Sequence, residues 1–369
     1  MAQYFRLTRE AWQRVSRAIQ DFHLRVNRRN EFTYRWGSAF YSLLLKLQAS
    51  AYEESLNKVS PLPPLFLLGF WRSGTTLLHE LFSCDKHFGF PSTYACLNPT
   101  HFLLSESWIA NNTMQRQIHR PMDEMKYSWT SPQEDEFALM ILGAASPYQA
   151  LITPSLMSEP NALFDPKLLP DVERQLWAQT LRLFIRMISL KQPKTILLKS
   201  PPHGFRMPFL PSFFPEARFV IIERNPYEVF ASNLKLWRTL LQMYSLEAFD
   251  DERIENFVLS AYVIHEEAIR TGLHYVSPCS VARVRYERLI ANPRGEMARI
   301  YSELGLRGFE ESRPALEQHL AAVADHKRNT FVLSPEQMKR VEQTWGHLVQ
   351  EKGYDWPSDY VMVNESRPQ

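Results

Sequence analysis

The sequence predicts an α/β fold, in which a P-loop-like parallel sheet is flanked by helices and carries helical insertions and an N-terminal helical extension. Short apolar runs at residues 65–69, 195–198 and 219–222 are typical of strands buried on both faces, and residues 280–284 form a further predicted strand. Helical patterns separate these runs, and strands that alternate with helices form parallel sheets. The helical content exceeds what crossover connections need, which predicts the insertions and the extension.

The composition is that of an ordinary globular protein. The chain has 369 residues, 45% hydrophobic and 22% charged, which is long enough for a large core. A net charge of +2 gives no global field that favours nucleic acid as a partner. Three widely spaced cysteines form no CxxC pair, so neither a disulfide framework nor a zinc site is indicated. No apolar run approaches the length of a membrane span, and we expect a cytoplasmic protein.

Residues 1–60 form the predicted N-terminal extension. Residues 1–58 carry ten basic and five acidic side chains, and Leu7, Trp12 and Val15 have broadly helical spacing. Two interpretations stay open. The extension is a solvated helical arm that packs on the core or on a second subunit of a homo-oligomer. Alternatively, it makes a peripheral contact with anionic lipid at the inner face of a membrane, through Trp12, Phe22 and residues 40–45.

Residues 61–357 form the predicted main domain, with a helical insert at about 83–190, and residues 358–369 form a tail. Prolines at 61, 63 and 64 separate the extension from the first strand. Ser131-Pro-Gln-Glu134 has the sequence of a capping box and predicts a helix that begins there. The other predicted helices lie at 75–82, 168–190, 226–237, 251–271, 293–304 and 335–352.

The strongest chemical signal follows the first strand, where Gly69 and Gly74 bracket four residues and Thr75 and Thr76 open a helix. Two glycines let backbone N–H groups wrap an anion, and the helix N-terminus adds partial positive charge. A nucleotide triphosphatase would carry lysine after the second glycine, but here the cation is Arg72, which precedes it. The pattern therefore predicts a phosphate site and disfavours a P-loop-type kinase, which stays as an alternative.

Two further strands end in candidate site residues. Arg224-Asn-Pro226 closes the strand at 219–222, and Ser232 follows about two turns into the next helix. Arginine grips phosphate bidentately and serine adds a hydroxyl. Lys199 ends the strand at 195–198 and His203 follows in a proline-rich loop. Because parallel strands place sites at their carboxyl ends, these residues are expected at one crevice.

Together these motifs resemble the sulfotransferases that use 3′-phosphoadenosine-5′-phosphosulfate (PAPS), and most of all their bacterial-type branch. The resemblance implies that the Arg72–Thr76 loop binds the 5′-phosphosulfate and that Arg224 and Ser232 bind the 3′-phosphate. It also implies that six further residues contact the nucleotide: Ser73, Gly74, Leu77, Tyr286, Lys327 and Arg328. Tyr286 corresponds to the tyrosine that contacts adenine, and Leu77 stands where the cytosolic enzymes carry an adenine-stacking tryptophan.

The resemblance implies transfer of a sulfuryl group from PAPS to a hydroxyl of a small molecule, lipid or glycan, without a metal and with adenosine-3′,5′-bisphosphate as the other product. Arg72 and Lys199 are suited to stabilise charge on the bridging oxygen. The base is open: His203 is the first candidate, because of its loop position and because histidine as a residue type exchanges protons near neutral pH, and Glu134 is the second. The absence of an acid near residue 93 motivates a further alternative, a nucleotide-binding scaffold without catalysis. Apolar segments at 83–165 and 238–275 favour an apolar acceptor.

Overall fold

A five-stranded parallel sheet forms the centre of the protein. The computed structural model describes residues 5–110, 118–119, 126–158, 162–322 and 333–355. Its strands are β1 (Leu65–Leu68), β2 (Phe88–Gly89), β3 (Ile118–His119), β4 (Lys126–Tyr127), β5 (Thr195–Lys199), β6 (Arg218–Glu223) and β7 (Val281–Arg285). The parallel sheet has the order β2-β5-β1-β6-β7, and β3 pairs with β4 in a separate antiparallel ladder.

Helices cover both faces of the sheet and extend beyond it. They are α1 (Arg9–Asp21), α2 (Arg28–Lys58), α3 (Thr75–Ser83), α4 (Thr93–Leu97), α5 (Phe102–Ala110), α6 (Glu136–Leu142), α7 (Asp171–Lys191), α8 (Pro202–Phe205), α9 (Leu210–Phe213), α10 (Pro226–Tyr244), α11 (Asp251–Leu273), α12 (Tyr286–Ala291), α13 (Pro293–Glu303), α14 (Phe309–Ala322) and α15 (Pro335–Glu351). Short 3₁₀ helices lie at Pro147–Leu151, Pro154–Met157 and Pro278–Ser280. Within the described ranges, no helix has both the length and the apolar character needed to cross a bilayer.

The strands are continuously apolar because each face of the sheet packs against helices. Phe66 and Leu68 of β1 pack with Trp177 and Phe184 of α7, whereas Leu65 and Leu67 pack on the other side with residues of α3 and α13. Alternate side chains therefore enter two different cores, which is why no polar position interrupts β1. The predicted fold class is confirmed.

The carboxyl ends of the central strands meet at one edge. In the register of the sheet, Leu67 lies opposite both Lys199 of β5 and Val220 of β6, and Glu223 lies opposite Arg285 of β7. The loops that follow β1, β5, β6 and β7 therefore leave the sheet on the same side. This geometry positions the candidate site.

The helix predicted to begin at Ser131 does not begin there. Backbone hydrogen bonds join residues 131–133 to residues 91–93, with Thr93 N–H donating to Ser131 O (2.8 Å) and Gln133 N–H to Pro91 O (3.0 Å). This pairing keeps the chain extended, and α6 starts only at Glu136. The capping box was therefore a wrong prediction, because tertiary backbone pairing replaced the local cap.

The predicted N-terminal helical extension consists of α1 and α2. Helix α1 is anchored on the body of the protein, since Thr8 N–H donates to Ile141 O (3.0 Å) and Arg14 donates to Gly143 O (2.7 Å). Trp12 of α1 stacks on Tyr34 of α2 with ring centroids 5.2 Å apart. The domain boundary at residue 60 remains a prediction, and the predicted tail at 358–369 lies outside the described residues.

Candidate active site

The loop after β1 adopts a backbone that two glycines make accessible. Gly74 has a φ of +102°, and a Cβ at this position would lie 2.4 Å from Tyr286 Cδ2. A Cβ on Gly69 would lie 2.7 Å from Ile222 O. Arg72 also has a positive φ, +66°, which is uncommon for a residue with a side chain and costs free energy that the surrounding structure must offset. The loop is therefore held in a specific shape against β6 and α12.

Four residues predicted to bind the nucleotide meet beside this loop. Arg72 Nε donates to Ser232 Oγ (2.7 Å), and Arg224 Nη1 donates to Arg72 O (3.2 Å). The Arg224 guanidinium also lies over the Tyr286 ring, 4.4 Å from its centroid. These side chains come from the loop after β1, the end of β6, helix α10 and the start of α12. The fold thus brings together residues that are up to 214 positions apart (72 to 286).

The loop presents donors to an anion. The hydroxyl of Ser73 is buried, and its Oγ has no hydrogen-bond partner among the described residues. The first N–H groups of α3 have no acceptor within their helix, and the dipole of α3 places partial positive charge at the same end. Thr75 is buried and Thr76 is half-buried in this first turn. A buried hydroxyl without a partner beside two arginines fits a phosphate-bearing ligand.

Glu287 holds the Arg224 motif in place, and sequence reasoning missed it. Its Oε1 accepts from the backbone N–H of Asn225 (2.9 Å), and its Oε2 accepts from the Tyr354 hydroxyl (3.1 Å). Asn225 caps α10 by accepting from Tyr227 N–H (3.1 Å). The signal was present in the Tyr286-Glu287 pair, but only the tyrosine was given a role.

A second cluster surrounds Glu134. Lys199 Nζ lies 2.8 Å from Glu134 Oε1, and both side chains are largely buried. Tyr148 donates its hydroxyl to Glu134 Oε2, and Trp71 Nε1 donates to the Tyr148 oxygen (3.1 Å). Burial, followed by the negative charge of Glu134, raises the pKa of Tyr148 well above its ordinary value, so the phenol stays protonated. Because Trp71 precedes Arg72, this cluster adjoins the glycine loop.

Three consecutive carboxylates each pair with a different cationic side chain beyond β5. Glu134 pairs with Lys199, and Asp135 Oδ2 lies 2.7 Å from His203 Nε2. Glu136 accepts two hydrogen bonds from Arg206, at 2.7 and 2.8 Å. The second and third pairs are buried, whereas Glu134 keeps some exposure. The acidic run therefore ties α6 to the end of β5, and its first member faces the crevice.

His203 lies at the predicted end of β5 but does not face the crevice. Its side chain is 0% exposed and packs edge-on against Phe66 and Trp177, with ring centroids 5.3 and 6.0 Å apart. Burial alone would raise the pKa of Asp135, but the charge of His203 and hydrogen bonds from His203 and Ser200 lower it. Asp135 is thus ionised, and His203 Nε2 donates to it. This contact counts against His203 as a base, because an acceptor cannot reach a fully buried ring.

The remaining predicted residues have varied positions. Leu77 is half-buried on α3 and packs against the core beside that helix. Lys327 and Arg328 lie outside the described residues. Among the described residues no group of three His, Cys, Asp or Glu side chains has the arrangement of a metal site.

The chain matches known proteins over most of its length. A sequence model of the sulfotransferase family covers residues 63–311. The omega-hydroxy-beta-dihydromenaquinone-9 sulfotransferases Stf3 of Mycobacterium bovis and Mycobacterium tuberculosis are each 37% identical over 293 residues, which is 79% of this chain and 76% of theirs.

Solved structures share the fold. The sulfotransferase STF9 of Mycobacterium avium superposes with a TM-score of 0.68 at 17% identity, over 96% of this chain and 93% of its own. For STF1 of Mycobacterium tuberculosis the TM-score is 0.63 at 20% identity, over 91% and 92%. These two structural similarities show a shared fold, whereas the family match and the 37% identity with Stf3 show membership of the family. The chain therefore belongs to the sulfotransferase family of PAPS-dependent enzymes.

Proposed function

We propose that this protein transfers a sulfuryl group from PAPS to the hydroxyl of a lipid-like acceptor, with Glu134 as the catalytic base. The observation that carries the proposal is that Arg72, Arg224 and Ser232 converge beside the glycine loop. The Glu134–Lys199 pair adjoins the same loop, through Trp71 and Tyr148. A nucleotide site and a buried acid–cation pair thus share one crevice.

The nucleotide half of the proposal assigns the two phosphate groups to two sides of the cluster. Ser73, Thr75, Thr76 and the first N–H groups of α3 bind the 5′-phosphosulfate, with Arg72 beside them. Arg224 and Ser232 bind the 3′-phosphate, and Tyr286, whose ring already lies against the Arg224 guanidinium, contacts adenine. The family resemblance implies that Lys327 and Arg328, which lie outside the described residues, also bind the 3′-phosphate.

The transfer step needs a base and charge stabilisation. Glu134 takes the proton of the acceptor hydroxyl, and the hydroxyl oxygen forms a bond to sulfur. The bond from sulfur to the bridging oxygen breaks, and its electron pair stays on the phosphate of adenosine-3′,5′-bisphosphate. Lys199 and Arg72 stabilise the charge that grows on that oxygen. The position of Lys199 supports this role, because it lies opposite Leu67 in the sheet, two residues before the glycine loop begins.

Glu134 is preferred to His203 for three structural reasons. It keeps some exposure, whereas His203 has none. Its carboxylate serves no helix cap, since α6 begins at Glu136 with Asp135 preceding it. Finally, His203 uses Nε2 on the ionised Asp135, which commits that nitrogen as a donor.

Two observations support a lipid-like acceptor. Stf3, 37% identical to this chain, is named for a hydroxylated dihydromenaquinone. In this chain, aromatic rings surround the base: Phe137 packs on Tyr148 with centroids 4.8 Å apart, and Trp71 lies 6.4 Å from the same ring. An apolar chain with one hydroxyl suits such surroundings, because burial of its carbon atoms supplies affinity while the hydroxyl meets Glu134.

Product analysis tests this function. The purified full chain is incubated with PAPS and a panel of hydroxylated prenylquinones in excess EDTA, and sulfate esters are detected by mass spectrometry. The matched control is the same prenylquinone without the hydroxyl, which should release no adenosine-3′,5′-bisphosphate. We expect activity in EDTA, because this loop lacks the lysine that organises magnesium around a triphosphate. Absence of any ester, or loss in EDTA with rescue by magnesium, would contradict the proposal.

A further inference from the structure

Helix α2 packs one face against the protein and leaves an apolar face exposed on the opposite side. The inward face carries the buried residues Tyr34, Ser38, Gln48 and Leu56. We call the opposite set the outer stripe, and more than half of the surface of each of its five side chains is exposed. These are Phe32 (62%), Trp36 (63%), Phe40 (55%), Leu43 (53%) and Leu47 (52%).

The outer stripe is a continuous band along the helix. At 3.6 residues per turn its five positions fall within about 80° of the circumference, opposite the buried positions. A helix needs one face to pack on a protein core, and α2 already has one. Together, three aromatic and two aliphatic side chains form an exposed apolar band, and a free surface rarely carries such a band.

Contacts on the inward face hold the stripe outward. Gln48 donates through Nε2 to Pro99 O (2.9 Å) and accepts from Leu103 N–H (2.8 Å), and it is fully buried. Arg186 donates to Leu56 O near the end of the helix. Because these bonds fix the rotation of α2, the stripe cannot turn into the core without breaking buried hydrogen bonds.

Cationic side chains border the stripe. Between residues 25 and 47 the chain has five Lys or Arg and one acidic residue. Arg28, Arg35 and Lys46 are exposed and follow one edge of the stripe, about 40–60° from its first residue on the helical circumference. The described residues provide no salt bridge for these three. An apolar band with a cationic edge is the pattern of a helix that lies in a membrane interface.

A groove of about 670 Å³ between α1 and α2 adjoins this edge. Trp12, Phe32 and Trp36 line it, together with the guanidinium-bearing Arg9 and Arg35. Its composition, aromatic walls with two cations, suits an anionic headgroup whose acyl chains lie along the stripe. The groove therefore extends the same surface rather than forming a separate site.

We propose that the outer stripe and its cationic edge dock this protein on the anionic surface of a lipid bilayer, with α2 lying along the membrane plane. Charge complementarity favours this occupant over a second copy, whose stripe would bring the same excess of cations to the interface. The proposal goes beyond the proposed function and does not depend on it. It is consistent with a lipid acceptor. The α1 segment contacts both α2 and α6, and α6 follows Glu134 in the chain, so the proposed membrane surface is connected to the proposed site.

Vesicle flotation of the full chain tests the docking. Wild-type protein should float with phosphatidylcholine vesicles that contain phosphatidylglycerol and much less with phosphatidylcholine alone, and added salt should weaken binding. Trp36→Ser/Leu43→Ser should lower the partition constant at least about tenfold. Arg28→Gln/Arg35→Gln/Lys46→Gln should lower it about fivefold per charge, on anionic vesicles only.

The matched control is Val172→Ser/Tyr275→Ser, which removes exposed apolar side chains (78% and 66% exposed) elsewhere on the surface and should bind as wild type does. Thermal melting and circular dichroism check that each variant is folded. No flotation of the wild type, or flotation that the stripe variants leave unchanged, would overturn the proposal. Dimerisation that Trp36→Ser abolishes, without vesicle binding, would assign the stripe to a second copy instead. The assay contains neither PAPS nor acceptor, so its failure is separate from a failure of the proposed function.

Discussion

At the scale of single residues, the site depends on pairs that span long stretches of chain. Arg224 contacts the backbone of Arg72, the ring of Tyr286 and the carboxylate of Glu228 at once. Each contact orients its guanidinium, so the side chain is positioned before a phosphate arrives. Preorganisation of this kind reduces the entropy that binding must overcome.

Arg224→Ala should therefore remove the preference for adenosine-3′,5′-bisphosphate over AMP. Only the 3′-phosphate distinguishes the two ligands, and loss of a charge-assisted bidentate contact costs about 1.5–3 kcal/mol, roughly 10- to 150-fold. Isothermal titration with both ligands measures the ratio. Arg238→Ala, which removes an arginine of α10, the helix that follows Arg224, from an exposed pair with Asp251, is the control and should keep the preference. Equal affinities in the wild type would remove the 3′ assignment.

His203 has a structural role that is separable from catalysis. His203→Asn should lower the free energy of unfolding by about 3–5 kcal/mol, because it removes the hydrogen bond that Nε2 donates to the buried, ionised Asp135 carboxylate. Denaturant melting measures the loss, and activity per folded molecule should stay near that of the wild type. A folded, stable His203→Asn protein with turnover lowered about 100-fold would return His203 to the role of base.

The positions of the motif residues could be predicted, whereas their roles in binding stay predictions. Arg72, Arg224, Ser232 and Tyr286 could be expected at one crevice, because each follows a parallel strand, and the structure brings them together. The partners of the acidic run could not be predicted. Glu134 and Lys199 are 65 residues apart, and nothing in either local sequence specifies the other.

At the scale of elements, the loop between β1 and α3 owes its shape to Gly74, which lies against the Tyr286 ring of the candidate site. Gly74 needs its positive φ for the turn and its missing side chain for the Tyr286 ring. These two requirements are separable by comparison with Gly305, which has a φ of +58° and open space within 4 Å of the position that a Cβ would take.

Gly74→Ala should lose both stability and affinity for adenosine-3′,5′-bisphosphate, since the new methyl group displaces Tyr286. Gly305→Ala should lose only stability, by about 1 kcal/mol, from backbone strain alone. Thermal melting and nucleotide titration on both variants separate the effects. Wild-type nucleotide affinity in Gly74→Ala would show that Tyr286 does not contribute to the site.

Element boundaries were predictable where local signals agreed with tertiary contacts. The strands β1, β5, β6 and β7 and the long helices α7, α10 and α11 lie where apolar patterns placed them. The start of α6 was misplaced because residues 131–133 pair with the chain at 91–93. Strand β2 was missed, since its two residues are too few to make a pattern.

At the scale of the whole molecule, the C-terminal helix ties the nucleotide side of the sheet to the helices beside it. Lys352, just after α15, bridges Glu223 at the end of β6 (2.9 Å) and Glu266 of α11 (2.6 Å). Burial would raise the pKa of Glu266, but a hydrogen bond from His265 and the charge of Lys352 lower it to about 2. The carboxylate is thus stabilised by folding.

Because of this bridge, the free energy of unfolding depends on pH in the acidic range. Since the folded pKa of Glu266 lies below its ordinary value of 4.5, its contribution is complete above pH 4.5 and is lost as the pH falls towards 2. The melting temperature of the wild type should therefore fall more steeply over this interval than that of Glu266→Gln. Glu252→Gln, an exposed change on the same helix, is the control and should follow the wild type. Parallel curves for wild type and Glu266→Gln would contradict the bridge.

The global architecture followed from the sequence to a useful depth. The parallel sheet and its helical flanks were predictable from alternation, because buried strands cannot carry polar positions on either face. The way the insert folds back on the site was not predictable, since it depends on buried ion pairs between the start of α6 and the α8 segment that follows β5. For the N-terminal extension the sequence left a solvated arm and a membrane contact open, and the exposed apolar side chains of α2 support the second, which stays a proposal.

The turnover of Glu134→Gln shows whether Glu134 is the catalytic base. With PAPS and a hydroxylated prenylquinone at saturation, kcat should fall about 10²- to 10⁴-fold, while the protein stays folded with a lowered melting temperature, because Lys199 loses its carboxylate, and its affinity for adenosine-3′,5′-bisphosphate stays near that of the wild type. Glu173→Gln, which removes a paired carboxylate from the contact with Arg14 outside the site, should keep the wild-type kcat. A folded Glu134→Gln enzyme with wild-type kcat would show that Glu134 is not the catalytic base.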